Sequence, residues 1–587
     1  MKRLAGRAVV LVATLLFGVT LAQAAPHPMD PLTAEEILGA ASILLAGGAA
    51  QPGAIFQAID LREPGKDAVL GFPGGGNPPR RATVFFRQSK KSYRSVVNLT
   101  TGTFTPPVEI PRTEGQLGLT FQEIVDFAFV FQDPAFLLAL ARRGIDTPEE
   151  LARVLVTPLT PGSFGLPEER RRIVKAQMYS TAGAGINLFA KPIEGVQAIV
   201  DLDERKVIQV IDTGVIPLAT DSQNFDEASV AARFGLRPAL KPIRITQPQG
   251  KNFTLQGGFV DWQKWKFHVR FERRAGTVIS LATYDGRSVL YQGSLAEVFV
   301  PYQDPSTNWY YRTFMDAGEF GFGALSSPLR LGLDVPENAV LLDGLISAAL
   351  PDPTVPVVPL PLPAVVGVFE RVTGNPAWRH FEFLAGNAYE GRAEVELVVR
   401  MIAQVGNYDY VIDWIFTQRG AIRVEVGLTG IDIPKGVRST TLSDPTAGAD
   451  TAFGTLVAPR IVAPFHSHHF NFRLDLDVDG RNNSFVLGRL KTVEVQGSPR
   501  KSVWILDEDV LRREKDARLD EPDVWKVVNP GRKNARGYNT GYVLESHGHA
   551  SPLLKKADFR RAGFIEHALW VTAFDADERY AAGDTPN

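Results

Sequence analysis

The sequence predicts a mainly β protein in which two small α+β domains precede a large C-terminal antiparallel β-sandwich. Three observations support this fold class. Glycine and proline are frequent, at 53 and 41 of 587 residues, which favours many turns and short strands. Helix start signals fall before about residue 240. Beyond that point, strand-sized segments of alternating polarity recur about every ten residues, as in a large β-sandwich.

The first 24 residues have the features of a signal peptide. Three basic residues precede an apolar stretch over residues 8–21, and Ala22 and Ala24 supply the small side chains of a cleavage site. We therefore expect the mature chain to be periplasmic or secreted. The absence of cysteine fits a bacterial periplasm better than a disulfide-rich extracellular space.

The composition excludes several classes of function. Lys and Arg number 63 against 65 Asp and Glu, so a net charge of -2 provides no basic surface for nucleic acid or an acidic membrane. No segment after the signal peptide has 18 uninterrupted apolar residues, and we predict no membrane span. Without cysteine, thiolate metal sites and cysteine nucleophiles are excluded. Any metal must be bound by His, Asp, Glu or Tyr.

The first predicted domain covers residues 28–115. Residues 30–36 form the capped start of a helix, and the alternating segments 82–87 and 93–99 predict strands. A Gly/Pro loop spans residues 71–79. These elements together predict a small α+β unit.

The second predicted domain covers residues 116–235. Thr120 and Glu123 form a capping box that predicts a helix running to about Phe131. A second helix is predicted over residues 133–143, and Thr147 begins a further capping signature. The later segments 196–202 and 206–212 predict a β-hairpin.

The third predicted domain, the β-sandwich, covers residues 240–587. Residues 351–363 contain six prolines, which favour an extended polyproline conformation. We interpret this segment as a long surface arm or loop. Its composition also allows a ligand for a proline-binding module.

A histidine motif provides the first candidate metal ligands. On a strand, His466 and His468 would lie on one face with their Cα atoms roughly 6.6 Å apart, while His469 would face the other way. Two imidazoles without thiolates suit Cu(II) or Zn(II). On this spacing alone, a pair of structural sheet histidines is the alternative.

An acidic run follows the histidines. Asp475, Asp477 and Asp479 alternate on one strand face. The run lacks the preceding helix and the twelfth-position Glu of an EF-hand, where Val486 stands instead. A simpler hard-cation site that uses Asp475, Asp477 and a backbone oxygen stays open, and so does a solvated acidic face.

A tyrosine motif changes the interpretation of the histidine pair. Residues 406–410 read Gly-Asn-Tyr-Asp-Tyr, the histidines lie 58 residues later, and residues 309–321 contain Met-Asp-Ala-Gly-Glu. In this order and spacing, the three motifs resemble the copper-containing amine oxidases. The similarity extends from Asp-Pro-Leu at residues 30–32 to Tyr-Ala-Ala-Gly-Asp at residues 580–584.

The resemblance implies a role for each matching residue. Tyr408, next to Asn407, would be the precursor of topaquinone, and Asp316 would be the catalytic base. Tyr302 would hydrogen-bond to the quinone oxygen, and Phe314 would line the substrate channel. The implied metal ligands are His466 and His468 for copper, and Asp475, Asp477 and the carbonyl of Leu476 for a peripheral calcium ion.

The implied activity is the oxidative deamination of a primary amine by dioxygen, giving an aldehyde, ammonia and hydrogen peroxide. The cofactors would be Cu(II) and a topaquinone that the protein makes from Tyr408, with calcium as a further ion. The family is homodimeric, and residues 351–363 would contribute to the dimer contact. Burial of Asp316 between aromatic rings should raise its pKa toward the operating pH, as a general base requires.

The end of the sequence departs from the family pattern. The third copper-binding histidine should follow residues 580–584, yet the sequence ends at Asn587, and His567 matches a position that is not a ligand. We therefore expect either a fragment of a longer reading frame or a C-terminally truncated protein, and we favour the fragment; in both cases the sandwich would be incomplete. Two alternatives stay open: a non-catalytic homologue that cannot hold copper or modify its tyrosine, and a zinc hydrolase that uses His466, His468 and Asp316.

Overall fold

The computed structural model describes residues 27–349, 355–517, 523–547 and 551–586. The predicted signal peptide lies outside these residues, as does part of the proline-rich segment. In the described part of the chain, no helix is both long and apolar enough to cross a bilayer. The predicted fold class is confirmed: antiparallel sheets dominate, and a large sandwich follows two smaller α+β units.

The first unit is an antiparallel sheet covered by one helix. Thr33 caps this helix through a capping box with Glu36, as the sequence predicted. Its buried face packs on the sheet, with Leu44 against Phe56 and Phe86 in one core. The helices are α1 (Ala34–Ala46) and α2 (Lys66–Leu70), and the strands are β1 (Ile55–Leu61), β2 (Arg81–Gln88), β3 (Lys91–Asn98), β4 (Thr103–Phe104) and β5 (Val108–Ile110).

The second unit places short helices beside an antiparallel sheet. The predicted helix from Thr120 to about Phe131 is confirmed only in part, because an α-helix covers Phe121–Val125 and a separate 3₁₀ helix covers Ala128–Gln132. The helix ends at Val125 because Asp126 leaves the helical region, and Phe127 and Val130 then turn into the core. The helices are α3 (Phe121–Val125), α4 (Pro134–Ala141), α5 (Pro148–Leu151) and α6 (Glu227–Phe234), and the strands are β6 (Val154–Leu159), β7 (Ile173–Ser180), β8 (Pro192–Asp201) and β9 (Lys206–Asp212).

Two sheets form the body of the sandwich. The strands of the first sheet are β10 (Phe253–Gln256), β11 (Phe259–Trp262), β12 (Trp265–Glu272), β13 (Gly276–Tyr284), β14 (Arg287–Pro301), β15 (Thr313–Met315) and β24 (His469–Leu476). The strands of the second sheet are β16 (Val340–Ala348), β17 (Val358–Glu382), β18 (Ala388–Val405), β19 (Tyr408–Thr417) and β20 (Ile422–Gly430). The facing sides share one apolar core, in which the rings of Phe267 and Phe416 stack 3.8 Å apart. Burial of apolar surface between the sheets holds them together.

Smaller sheets flank this body. They comprise β21 (Lys435–Gly436), β22 (Gly454–Ala458), β23 (Ile461–Pro464), β25 (Ser484–Glu494), β26 (Ser502–Val510), β27 (Lys515–Ala517), β28 (Asp523–Lys533), β29 (Asn539–Leu544) and β30 (Leu569–Val571). This part of the chain also contains the α-helix α7 (Ala447–Asp450) and 3₁₀ helices at Lys556–Asp558 and Gly563–Glu566.

The proline-rich segment differs from its prediction. Residues 351–354 lie outside the described part of the chain, but Pro359 and Pro361 belong to β17 and pair with β16. Because β18 pairs with β17 only from Gly367 onward, the proline segment is an edge strand, where missing N–H groups are tolerated. The exposed arm of the domain is therefore the far end of the β17–β18 hairpin and not the proline-rich segment.

Candidate active site

The sequence motifs converge at one end of the sandwich. Tyr302 directly follows β14, and Asp316 directly follows β15. Tyr408 is the first residue of β19 in the facing sheet. The histidine motif precedes β24, which pairs along β14 and so carries its histidines to the end where Tyr302 lies.

The phenol of Tyr408 is held from two sides. The hydroxyl of Tyr302 donates a hydrogen bond to the hydroxyl of Tyr408 over 3.1 Å, and the backbone N–H of Ile433 donates to the same oxygen over 3.1 Å. Burial raises the pKa of Tyr408 to about 12, which keeps the phenol neutral. The sequence-based pairing of Tyr302 with Tyr408 is therefore present in the structure.

Two imidazoles stand against the Tyr408 ring. The centroid of the Tyr408 ring lies 5.3 Å from that of His466 and 5.1 Å from that of His468, and the two imidazole centroids are 4.9 Å apart. Neither histidine lies within a regular strand, contrary to the prediction: His466 makes an isolated bridge to Tyr302, and β24 begins only at His469. His469 packs toward Phe299, away from the tyrosine.

Asp316 is a buried carboxylate with a raised pKa. It is the first residue of a π-helical turn and is only 3% exposed. Burial raises the pKa of Asp316 to about 7, with a smaller contribution from Glu297, whereas a hydrogen bond from Tyr410 acts in the opposite direction. This agrees with the predicted rise, and it places the carboxylate in the range where a general base works at neutral pH.

Two buried residues of the site were given no role from the sequence, although Tyr410 belongs to the tyrosine motif. The hydroxyl of Tyr410 donates to Asp316 over 3.0 Å and lies 3.0 Å from Nδ1 of His468. Glu297 accepts from the N–H groups of Ala317 and Gly318 and thereby holds the turn that carries the base. The two-residue period of a strand could have placed Tyr410 beside Tyr408, but no sequence signal singled out Glu297.

Phe314 and Asn407 lie next to these groups. The ring of Phe314 is 6.1 Å from that of Tyr302 and 6.2 Å from that of Phe320. The Nδ2 atom of Asn407 is buried and has no hydrogen-bond partner among the described residues. A buried amide donor beside Tyr408 is thus available to a further group.

Comparison with known families covers almost the whole chain. The model of the copper amine oxidase enzyme domain matches residues 254–587. The models of the N3 and N2 domains of copper amine oxidases match residues 122–228 and 27–108. The chain belongs to the copper amine oxidase family. The zinc hydrolase alternative is therefore discarded.

Relatives of this amine oxidase occur in bacteria and plants. A primary amine oxidase of Klebsiella aerogenes is 36% identical over 588 residues, which covers 96% of this chain and 75% of that protein. A primary amine oxidase of Pisum sativum is 34% identical and covers 95% of this chain and 83% of that protein. Among solved structures, a copper-containing benzylamine oxidase from Hansenula polymorpha superposes with a TM-score of 0.83 at 25% identity, covering 96% of this chain and 89% of that one.

The histidine pair of this amine oxidase fits a copper ion. Nδ1 of His466 donates to the carbonyl of Pro464 over 2.9 Å. The single hydroxyl hydrogen of Tyr410 is directed to Asp316, so Nδ1–H of His468 donates to Tyr410. Both Nε2 atoms then carry free lone pairs, and burial lowers the pKa of His468 to about 4, which keeps that ring neutral. Hydrogen bonds donated by the ring nitrogen that does not bind the metal orient metal-binding imidazoles in this way.

The predicted calcium ligands do not fit a divalent cation. The ammonium of Lys66 lies between the two carboxylates, with Nζ 3.0 Å from Asp475 and 2.8 Å from Asp477. Asp479, the third carboxylate of the run, is paired with Arg287 instead. The predicted cation position is thus taken by a positive side chain, which corrects the sequence-based expectation.

A second cluster resembles a metal site but has another explanation. His27, Asp30 and His268 offer ligand atoms within 4.8 Å of one another. Nε2 of His268 lies 2.7 Å from Asp30, while its Nδ1 is buried without a partner in the described part of the chain. A metal-binding imidazole normally donates its second N–H to an acceptor, which is missing here. We interpret the cluster as a neutral histidine that ties the N-terminal segment to β12.

Proposed function

We propose that this amine oxidase converts a primary amine to an aldehyde, with dioxygen as oxidant and ammonia and hydrogen peroxide as further products. The proposed copper ligands are His466 and His468, and the proposed precursor of topaquinone is Tyr408. One observation carries this proposal: the Tyr408 ring stands within 5.3 Å of both imidazoles, and its hydroxyl is bonded to Tyr302. When bound, copper and the quinone supply the redox chemistry that amino-acid side chains lack.

The protein's own residues supply proton transfer and positioning. Asp316 takes the proton from the carbon next to the amine nitrogen, because its raised pKa makes it a stronger base than an ordinary carboxylate. Tyr302 fixes the orientation of the Tyr408 ring through its hydroxyl. Phe314 and Phe320 flank Asp316 in the sequence and pack their rings 6.2 Å apart, so we propose that these apolar rings help to exclude water from the base. Which amine enters depends on the shape of this apolar approach.

The test is the chemical state of Tyr408. The full-length protein is incubated aerobically with Cu(II), and the tryptic peptide of residues 401–419 is examined by tandem mass spectrometry. We expect a mass gain of two oxygens and a loss of two hydrogens on Tyr408, together with visible absorption that is absent from Tyr408→Phe. Tyr284→Phe, which removes a hydroxyl bonded to a carbonyl elsewhere in the sandwich, is the matched control. An unmodified peptide in copper-saturated protein would support the non-catalytic alternative.

We also propose that the protein is a homodimer held in part by the β17–β18 arm. The tip of this hairpin exposes large apolar side chains, including Trp378, Phe383 and Tyr389, and Leu384 is 89% exposed. Apolar side chains grouped on a projecting element favour an interface. Light scattering of the wild type should give twice the chain mass, and Phe383→Asp with Leu384→Asp should shift the protein toward the monomer. A wild-type monomer at micromolar concentration would refute this proposal.

For localisation, we propose the bacterial periplasm. The charged, apolar and small-residue regions of residues 1–24 support it. Expression in a Gram-negative host and N-terminal sequencing of the periplasmic fraction should find a chain that begins at Ala25. Recovery of the uncleaved chain in the cytoplasm would refute the proposal.

A further inference from the structure

Lys66 links the first domain to the catalytic sandwich. It is the first residue of α2, and its ammonium reaches the end of β24 in the first sheet of the sandwich. Nζ lies 3.0 Å from both carboxylate oxygens of Asp475 and 2.8 Å from Oδ1 of Asp477. The contact spans 409 residues of sequence, so it is a tertiary tie between two units.

The ammonium is well satisfied in this position. Its three hydrogens meet three carboxylate oxygens at the distances of charge-assisted hydrogen bonds. The side chains of Lys66, Asp475 and Asp477 are only 10%, 9% and 7% exposed. The rings of Tyr291 and Phe574 lie 4.4 and 4.8 Å from Nζ and add cation–π attraction.

A divalent cation and this ammonium would compete for the same oxygens. Calcium requires six to eight oxygen ligands at about 2.3–2.6 Å, a space that Nζ already occupies. The third carboxylate of the acidic run, Asp479, is directed away to Arg287, with contacts of 2.6 and 2.7 Å. The described residues thus offer two carboxylates here, and both are already bonded to one internal cation.

We propose that in this protein the Lys66 ammonium replaces a divalent cation between Asp475 and Asp477. The site is then a built-in electrostatic clamp that holds the first domain on β24, the strand that follows the copper-binding histidines. Its occupancy does not depend on the calcium concentration of the surroundings. The inference does not rest on the proposed chemistry at Tyr408.

Calcium binding to the full-length wild type is the first test. Protein stripped with EGTA is titrated with CaCl₂ by calorimetry, and its metal content is measured by mass spectrometry after dialysis. We expect no saturable calcium binding at this site and a change in Tm below about 1 °C between EGTA and millimolar calcium. Calcium binding that disappears in the double variant Asp475→Asn and Asp477→Asn would overturn the proposal.

Removal of the ammonium is the second test. Lys66→Met keeps the length of the side chain but leaves two buried carboxylates without their partner, so Tm should fall by about 3 °C or more. Lys264→Met is the matched control, since Lys264 forms an exposed pair with Asp285 and its loss should change Tm by less than about 1 °C. Equal melting of Lys66→Met and wild type would overturn the proposal. If Lys66→Met does not fold, the wild-type titration decides alone.

Discussion

The hydroxyl of Tyr410 lies 3.0 Å from Oδ2 of Asp316 and donates a hydrogen bond to it. A donor to a carboxylate stabilises the charged form, whereas burial destabilises it. Burial is the larger effect here, so the pKa of Asp316 rises to about 7. Since the same hydroxyl accepts from His468, Tyr410 connects the proposed base with a proposed copper ligand.

Replacement of Tyr410 by Phe should shift the pH dependence of the enzyme. The variant loses the hydrogen bond that lowers the pKa of Asp316, so this pKa should rise above 7. The rising limb of kcat/KM against pH should move to higher pH by about one unit, the value of a typical hydrogen bond to a charged group. Stopped assays of hydrogen peroxide release across pH 5–9 measure this shift of the kcat/KM profile. A limb that stays in place would show that Tyr410 does not act on the base.

Replacement of Asp316 by Asn should abolish turnover without preventing modification of Tyr408. An amide cannot take the proton, and loss of a general base costs about 10²–10⁴-fold in rate. The rate of peroxide release and the mass of the 401–419 peptide are measured on the same sample. Asp285→Asn, at an exposed ion pair, is the control and should keep wild-type activity. Turnover within threefold of wild type would refute the base assignment.

The wild-type enzyme should lose activity on acidification through neutral pH. Only the ionised form of Asp316 can accept a proton, and burial sets its pKa at about 7. Below this value kcat/KM should fall about tenfold per pH unit, because the ionised fraction falls by that factor. With an ordinary carboxylate as base, the same fall in kcat/KM would occur about three pH units lower. A flat profile between pH 5 and 7 would contradict the raised pKa.

Most of the active site could be predicted because its residues belong to short motifs. Motif order and spacing led to the family resemblance, and the roles of Tyr408, Asp316 and the two histidines were taken from that resemblance and stay predictions. The fold brings the elements that carry these residues to one end of the sandwich. Glu297 could not be found in this way. It lies on β14, where nearly every residue is buried, and its role depends on the N–H groups of a turn 20 residues later.

The errors arose where long-range contacts override local signals. The capping box at Thr120 was correct, but the α-helix ends at Val125, where Asp126 leaves the helical region and Phe127 and Val130 become part of the core of the second unit. The acidic run at Asp475 suggested a metal because its counter-charge, Lys66, lies 409 residues earlier in the chain. Spacing within a motif cannot reveal a partner at that distance.

Replacement of Tyr302 by Phe should impair catalysis more than formation of the cofactor. The variant removes the hydroxyl that donates to Tyr408 over 3.1 Å, while the stacking of the ring on His466 is kept. The modified ring should then sample non-productive orientations, and kcat should fall about 10- to 100-fold, the usual cost of misplaced reacting groups. The peptide mass of Tyr408 should still change. Unchanged kcat would show that this hydroxyl does not position the ring.

Replacement of Asp316 by Asn should also stabilise the protein, and the gain should depend on pH. The pKa of this carboxyl is near 3.8 in an unfolded chain and about 7 in the folded protein. Between these two pH values the folded state binds a proton that the unfolded state has lost, so the stability of the wild type falls as the pH rises from about 4 to about 7. The destabilisation of the wild type by the ionised carboxylate is complete above about pH 7 and absent below about pH 4, and its upper bound is about 4 kcal/mol. The difference in Tm between variant and wild type should therefore be several degrees at pH 8 and close to zero at pH 4. Thermal unfolding of both proteins in the same buffers measures this difference. A variant that melts below wild type at pH 8 would mean that the carboxylate contributes more through its contacts than its burial costs.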